Sequence, residues 1–253
     1  MVKIIAVEYL NTLPFIHGLR NSSLWNQIQL ITGTPQECAQ ALMNETVDIA
    51  LLPIGAISQF KNLSLISDYC IGCDGPVRTV AIYSNKEFRE IKSIKEDASS
   101  RTSNLLLSTL NRIFWKEQAI EIIPASESSI EADSYLIIGD QSFVAETQFK
   151  HQFDLGEIWK NLTGRPFTFA VWASRNKISS ELEDRINQIF KLSIEHIESF
   201  IKTLDLTQFP PKLDAYFSEN ISYHFDQSKK DSLHYFCELN QVDLSSIIEM
   251  SEL

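Results

Sequence analysis

The pattern of apolar and polar positions along the chain predicts an α/β fold. An apolar run ends at Val7, and Pro14 lies near the start of the mixed segment that follows. This order is typical of a strand, a loop and the first turn of a helix, where proline is well tolerated. Residues 34–37 have the form of a capping box, which predicts a second helix, and the apolar segment 47–52 after it is a buried strand. Strands and helices that alternate in this way predict a right-handed α/β unit.

The middle of the chain repeats the alternation and predicts a second α/β lobe. Two apolar, β-branched runs at 64–71 and 77–83 flank a turn rich in Gly and Pro, and they extend the sheet and carry the chain out of the first lobe. The elements expected after them are the helix 100–115, the strands 119–123 and 134–138, the helix 143–149, a short amphipathic turn at 155–162 and the strand 167–172. The last of these strands provides the route back to the first lobe.

The C-terminal part of the chain is predicted to be helical. A second capping box at Ser180 to Glu183 begins a long helix through Ile201, with apolar residues at three- and four-residue steps. Two further helical segments are expected at about 212–217 and 226–239. We interpret their apolar residues as packing residues and their charges as solvated.

This order of elements predicts two lobes joined by two crossing strands, with a cleft between the lobes. It is the arrangement of type II periplasmic-binding-protein-like folds. We expect lobe I to comprise residues 1–82 together with 174–253, and lobe II to comprise residues 83–173.

Charge and composition narrow the class of ligand. The chain has 22 Lys and Arg against 33 Asp and Glu, a formal net charge of −11, which argues against binding to nucleic acid or to an anionic membrane surface. No segment approaches the ~18 apolar residues of a membrane span. The first apolar run stops at Glu8, which is too short for the core of a signal peptide, so we expect a cytoplasmic protein.

The four cysteines do not form a pattern typical of a disulfide framework or of a zinc site. Cys70 and Cys73 form a single CxxC pair without a second pair or a nearby histidine. We therefore expect no metal and predict that the cysteines are buried as small hydrophobic residues.

Asn11 is the first candidate for chemistry. It follows the predicted first strand, and ligands of open α/β sheets bind beyond the carboxyl ends of strands. Its side chain offers an amide donor and a carbonyl acceptor at that edge. Taken alone, an asparagine in this position is also typical of a helix cap or a turn.

A second candidate group lies at the start of the helix predicted from residue 100. The hydroxyls of Ser100, Thr102 and Ser103 and the helix N–H groups can converge on an anion, and Arg101 offers a fork suited to a carboxylate. The alternative is an ordinary Ser/Thr cap with the arginine on a solvated face. Asp140 follows a predicted strand, where both functional acids and helix caps occur.

Six motifs in order resemble the chorismate dehydratase family of the futalosine route to menaquinone. They are YLNTLPF (9–15), DYCIG (68–72), DGPV (74–77), SRTSN (100–104), IGD (138–140) and DLGEIWKNLTGRPFTFAVW (154–172). Each motif alone is weak, but six in order are specific. The resemblance covers roughly the first 175 residues.

The resemblance implies a function and a set of site residues. Chorismate, a small dicarboxylate, would lose water to give 3-[(1-carboxyvinyl)oxy]benzoate without a metal or an organic cofactor. Asn11 would be the catalytic residue, and the substrate would be bound by Tyr9, Ser84, Ser100, Arg101, Thr102, Ser103 and Asp140. Because no strong protein base is evident, we expect the enolpyruvyl carboxylate of the substrate itself to take the proton. Ser84 and Arg78 are weaker candidates for the pocket, and His17, in the helix after Asn11, is a weak candidate for the base.

Two other functions are compatible with the same fold. One is a cytoplasmic solute-binding-like protein that closes on a small anion without chemistry. The other is the sister enzyme 1,4-dihydroxy-6-naphthoate synthase, whose typical N-terminal loop of the Cys-Pro-Asn-Asp kind is absent from this sequence.

Overall fold

A computed structural model of the chain describes residues 1–204 and 213–247. Its strands are β1 (Val2–Val7), β2 (Ile28–Gly33), β3 (Ile49–Pro53), β4 (Ser64–Cys73), β5 (Val80–Ser84), β6 (Ser93–Lys95), β7 (Glu121–Ile123), β8 (Ser134–Ile138), β9 (His151–Asp154), β10 (Phe167–Ser174) and β11 (Ser222–His224). Its α-helices are α1 (Leu13–Arg20), α2 (Pro35–Met43), α3 (Arg101–Phe114), α4 (Gln141–Gln148), α5 (Leu155–Thr163), α6 (Ser180–Glu195), α7 (Ile197–Ile201), α8 (Leu213–Ala215) and α9 (Gln227–Leu239). None of these helices is long and apolar enough to cross a lipid bilayer.

The strands form two sheets, which are the centres of two lobes. The first sheet has the order β11-β4-β10-β3-β1-β2, and the second has the order β7-β6-β8-β5-β9. In the first sheet β1 is parallel to β2 and β3, whereas β10 is antiparallel to both β3 and β4. The chain leaves the first sheet after β4 and returns to its centre through β10. The two crossings and the α/β class expected from the sequence are therefore present.

The strands that make up each sheet can be compared with the expected division of the chain into lobes. The second sheet takes its strands from Val80 to Asp154, and every residue of β10 is buried inside the first sheet. The division into 1–82 with 174–253 and 83–173 stays a prediction, but sheet membership assigns Phe167 to Ala173 to the first lobe. The returning strand β10 is thus part of the first lobe.

Several elements differ from those that the pattern predicts. The short strands β6, β9 and β11 were not expected, because three or four residues are too few to display a period of two. Residues 155–163 form a complete helix, α5, rather than a short turn; Asp154 caps its start and Gly164, with φ of 72°, ends it. Such a left-handed glycine is a common helix stop.

The C-terminal helices begin and end at slightly different residues from those expected. The cap of α6 is Ser179, whose hydroxyl accepts the N–H of Leu182, one residue before the expected Ser180. The long helix breaks at His196, so α7 is a separate turn. The segment expected at 212–217 begins at a residue outside the described ranges; from Leu213 it is helical and continues as a π-helix over Tyr216–Asn220.

Aromatic residues pack the C-terminal part of the chain against helices α1 and α5. Phe15 of α1 packs edge-on against Trp172 of β10 and Tyr223 of β11, with ring centroids 5.7 and 5.3 Å apart. Trp159 of α5 packs against Phe236 of α9, and its indole N–H donates to the backbone carbonyl of Pro166. The C-terminal helices therefore belong to the same packed body as the first lobe.

The cysteines are buried free thiols, as predicted. Burial raises the pKa of Cys70 to about 12, so its thiol stays protonated at neutral pH. Within the described ranges no group of three or more His, Cys, Asp or Glu side chains is arranged to hold a metal ion.

Candidate active site

A cleft with about 540 Å³ of empty space, part of it open to solvent, lies between the two lobes. Its polar lining residues are Tyr9, Asn11, Thr12, Thr79, Ser100, Thr102 and Ser103. Its apolar lining residues are Val7, Pro35, Leu51, Pro53, Ile71, Val77, Val80, Ile138, Phe169 and Ala170, with Gly139 beside them. Among the described residues, no side chain with a formal charge lines this cleft.

Asn11 reaches the cleft because the chain turns sharply after β1. Residues Leu10–Thr12 form a single 3-10 turn that leads directly into α1, with Pro14 in the first turn of that helix as expected. Asn11 is only 9% exposed. Its side-chain oxygen accepts a hydrogen bond from the Thr12 hydroxyl at 3.1 Å, which leaves its two amide N–H groups for other partners.

The hydroxyl cluster faces the same cleft from the start of α3. Ser100 is the N-cap: its hydroxyl accepts the backbone N–H of Ser103 at 3.1 Å and donates to the Ser103 hydroxyl at 2.9 Å. Ser100, Thr102 and Ser103 are all buried. The positive end of the helix dipole and these hydroxyls give the cleft a site for a carboxylate without a charged side chain.

Hydrogen bonds join the two lobes on both sides of the cleft. The backbone N–H of Gly55, in the turn after β3, donates to the Thr102 hydroxyl at 2.9 Å. The N–H of Leu10 donates to the Asp140 carboxylate at 3.2 Å, and the Tyr9 hydroxyl lies 3.4 Å from that of Ser99. The structure is therefore a closed form, in which the lobes touch at both sides of the cleft.

Two ionisable groups at the edge of the cleft have perturbed pKa values. Burial is the main cause that raises the pKa of the Tyr9 phenol, so this group is a neutral donor at physiological pH. Burial also raises the pKa of the Asp140 carboxyl, against the opposing effect of the Leu10 N–H. Asp140 is beside the cleft rather than part of its lining, next to Gly139, which lines it.

Two of the residues expected from the sequence lie away from the cleft. Arg101 is exposed and lines a smaller pocket that shares Pro35 and Pro53 with the cleft. Arg101 lies two residues before Ser103 and roughly 200° from it around the axis of α3. Its side chain therefore points away from the cleft when that of Ser103 points towards it. Ser84 ends β5, whereas only Val80 at the other end of that strand lines the cleft, and four residues of strand span about 13 Å.

The hydroxyl of Ser84 has structural partners in the second lobe. It donates to the carbonyl of Asp133 and accepts from the Ser134 hydroxyl at 3.0 Å. Ser84 and Arg101 are accordingly left out of the binding set proposed below.

The side chains of His17 and Arg78 have partners outside the cleft. His17 lies on α1 with its ring against Phe200, outside the cleft. The Arg78 guanidinium forms a two-pronged ion pair with Glu146, at 2.7 and 2.9 Å. Both side chains stabilise the fold.

Sequence reasoning missed three residues that reach Asn11 or the cleft. Thr79 lines the cleft, two residues after the DGPV motif. The Tyr223 hydroxyl donates to the backbone carbonyl of Asn11 at 3.0 Å, and the Tyr216 hydroxyl lies 3.1 Å from that of Thr79. The nearby DGPV motif could have drawn attention to Thr79, whereas both tyrosines lie in a tail without motifs.

We expect Asp140→Asn to raise the melting temperature at neutral pH by no more than about 3 °C. The folded-state pKa of Asp140 is raised, so its ionisation costs stability as the pH rises through that pKa. The asparagine oxygen can still accept the Leu10 N–H, but it carries no charge to bury. Thermal melts from pH 4 to pH 8 should therefore show the gain at neutral pH and its loss in acid.

Asp133→Asn is the matched control, for which we expect the opposite change in stability at neutral pH. Its ion pair with Lys86 at 2.6 Å lowers the pKa of Asp133, so that carboxylate stabilises the fold above its unfolded pKa and the effect is lost as the pH falls. The variant should be less stable than the wild type at neutral pH and equal to it in acid. A gain for Asp140→Asn that is independent of pH would contradict the burial argument.

The sequence matches the model of a protein family and is similar to that of a named enzyme. The profile of a family described as menaquinone biosynthesis matches residues 2–241. The chorismate dehydratase of Thermus thermophilus is 22% identical over an alignment of 263 positions, gaps included, which covers 91% of this chain and 92% of that protein.

Solved structures with low sequence identity share the fold. Protein AF1704 from Archaeoglobus fulgidus is 14% identical, with a TM-score of 0.70 over 95% of this chain and 96% of that one. A Candida albicans gene product described as having the generic periplasmic binding protein fold is 11% identical, with a TM-score of 0.66 over 98% and 96% of the chains. The alkanesulfonate-binding protein SsuA of Xanthomonas axonopodis, bound to MOPS, is 14% identical, with a TM-score of 0.62 over 97% of both chains. The two-lobed fold expected from the sequence is confirmed.

Proposed function

Since the chain belongs to the menaquinone biosynthesis family, we propose that it is a chorismate dehydratase, which converts chorismate to 3-[(1-carboxyvinyl)oxy]benzoate and water. The name of the Thermus thermophilus relative supports this reaction. The observation that carries the proposal is the shared cleft: Asn11 from one lobe and the hydroxyl cluster of α3 from the other line the same buried space. The cytoplasmic location expected from the sequence is part of the proposal.

The cleft has the two surfaces that chorismate requires. The apolar residues on its walls can pack against the six-membered ring, and the start of α3 can receive one of the two carboxylates. Ser100, Thr102 and Ser103 would donate to that carboxylate through hydroxyl or backbone groups. The neutral Tyr9 phenol is a further donor at the rim.

The reaction begins with the loss of a ring proton. The proton on the carbon that bears the enolpyruvyl ether is acidic through conjugation with the ring carboxylate, so its removal places enediolate-like charge on that carboxylate. Preorganised donors that match this charge lower the barrier. In our proposal the amide of Asn11 is such a donor.

In this mechanism a carboxylate of the substrate itself is the base that removes the ring proton. Among the described residues the cleft has no lining carboxylate, histidine or lysine, and the one ionisable lining group, Tyr9, has a raised pKa. The ether linkage tethers the enolpyruvyl carboxylate of chorismate beside the proton that it would take.

Loss of the neighbouring ring hydroxyl completes the reaction. The electron pair left by the proton forms the new ring double bond as the C–O bond breaks, which makes the ring aromatic. The enolpyruvyl carboxyl group passes the proton that it took to the departing hydroxyl, so water leaves and the carboxylate is restored. Asp140 follows Gly139, which lines the cleft, and its carboxylate can accept a hydrogen bond from the ring hydroxyl.

Purified protein incubated with chorismate, without added metal, is the test. We expect chorismate to disappear and 3-[(1-carboxyvinyl)oxy]benzoate to appear in equal amounts by chromatography and mass spectrometry. A parallel reaction with EDTA should proceed at the same rate.

Two other outcomes would replace the proposal. Chorismate that raises the melting temperature but is recovered unchanged would indicate a solute-binding-like protein. Turnover of cyclic dehypoxanthine futalosine in place of chorismate would indicate the naphthoate-forming enzyme.

A further inference from the structure

Two tyrosines from the C-terminal part of the chain contact Asn11 from behind, outside the lining of the cleft. Tyr223 of β11 donates its hydroxyl to the Asn11 backbone carbonyl at 3.0 Å. The Tyr216 hydroxyl lies 3.1 Å from that of Thr79 and faces the Asn11 side chain. Both tyrosines are buried, with exposures of 4% and 0%.

The rings of these tyrosines are fixed by packing, so the positions of their hydroxyls are fixed too. Tyr223 stands edge-on to Phe15, with centroids 5.3 Å apart and planes at 89°. Tyr216 stands edge-on to Phe143 of the second lobe, at 5.3 Å and 89°. A hydroxyl on a packed aromatic ring loses little conformational entropy when it forms a hydrogen bond.

The backbone around Tyr216 is also unusual. Tyr216 is the first residue of the π-helix Tyr216–Asn220, and π-helical turns are rare and frequent at functional sites. The strand β11 begins two residues after this turn and carries Tyr223 to the edge of the first sheet beside β4. One irregular segment therefore supplies both hydroxyls.

The hydrogen-bonding capacity of Asn11 leaves one consistent arrangement. Its side-chain oxygen is occupied by the Thr12 hydroxyl. One amide N–H can then donate to the Tyr216 oxygen, which also shares a hydrogen bond with the Thr79 hydroxyl, and the second N–H remains for a ligand in the cleft. Tyr223 holds the backbone of the same residue.

We infer that Tyr216 and Tyr223 are positioning residues that hold the amide of Asn11 in its reactive orientation. The inference rests on the proposed function and adds to it that the C-terminal segment is required for catalysis. Neither tyrosine touches the substrate, so their effect should fall on turnover more than on binding. Errors of about 1 Å in the position of a reactive group are enough to cost a factor of about 100.

Tyr216→Phe and Tyr223→Phe test the inference, because each removes a hydroxyl and keeps the packed ring. We expect each variant to reduce kcat for chorismate by about 10-fold or more, with KM changed by less than about 3-fold. Two independent variants are used so that a failure of one to fold leaves the other. Melting curves confirm that the tested variant is folded at the assay temperature.

Tyr83→Phe is the matched control. Tyr83 is equally buried, and its hydroxyl donates to the backbone carbonyl of Ser142 at 3.1 Å, away from Asn11. This variant should lose stability but keep the wild-type kcat.

Each remaining outcome has a distinct meaning. If the wild type converts chorismate and the folded Tyr216→Phe and Tyr223→Phe variants keep kcat within 2-fold, the positioning role is wrong and the proposed function stands. If Tyr83→Phe lowers kcat as much as they do, the effect is a general loss of packing, and the inference is again wrong. If the wild type leaves chorismate unchanged, the proposed function itself fails.

Discussion

Replacing Asn11 with alanine is expected to lower kcat for chorismate by about 100- to 1,000-fold, the usual loss when one preorganised donor is removed from a developing charge. Asn11 is almost fully buried in the cleft, with its amide oxygen held by Thr12. The α3 hydroxyls remain in the variant and can still receive a carboxylate. Substrate binding should therefore be largely retained, which steady-state kinetics would show as a KM within about 3-fold of the wild type.

The control for this variant is Asn21→Ala. Asn21 follows the other end of α1, and its amide donates to the backbone carbonyl of His17 in an exposed position. The substitution should cost a little stability and leave kcat unchanged. An unchanged kcat for Asn11→Ala would remove this residue from the mechanism.

The second large effect is expected for Gly55→Ala, which should lower kcat/KM by at least about 100-fold through a failure of the lobes to close. A Cβ at this position would lie 2.7 Å from the backbone nitrogen of Thr102 and 2.8 Å from the carbonyl carbon of Arg101. These are backbone atoms of the first turn of α3, so they cannot rotate away as a side chain would. The lobes would have to separate, and the hydrogen bond from Gly55 to Thr102 would be lost.

Thermal melts and kinetics together separate closure from folding in this variant. Because the contact is between lobes, each lobe should keep its own core, and the melting temperature should fall only slightly while chorismate no longer raises it. Gly33→Ala is the control, since its Cβ would meet the far end of the flexible Glu37 side chain and lies outside the cleft lining. Wild-type kinetics in Gly55→Ala would mean that the lobes do not need this close approach.

The parts of the site that the sequence predicted are those set by local structure. Asn11 follows a strand and precedes a proline-started helix, so its place at a sheet edge depends on neighbouring residues alone. Ser100 caps α3 because its hydroxyl accepts the backbone N–H of Ser103, and this is again a local feature. Both groups could therefore be placed from the pattern of the chain before any tertiary contact was known.

The parts that the sequence did not predict depend on direction or on distant contacts. Arg101 belongs to the same motif as Ser100, but the phase of α3 turns its side chain away from the cleft. Ser84 lies in the expected strand, at the wrong end of it. The contacts of Tyr216 and Tyr223 with Asn11 join residues more than 200 positions apart, and no local pattern encodes such a pairing.

The central place of β10 has a consequence for the order in which the lobes can assemble. The strands of the second sheet come from one continuous stretch, Val80 to Asp154, so that lobe can form as soon as this stretch has left the ribosome. The first sheet cannot be completed so early, because β10 must insert between β3 and β4 and β11 must then cover β4. Until then, the strands β1 to β4, all within the first 73 residues, have open edges, which are prone to pair with other chains. Although its chain is made first, the lobe that carries Asn11 is the last to be finished.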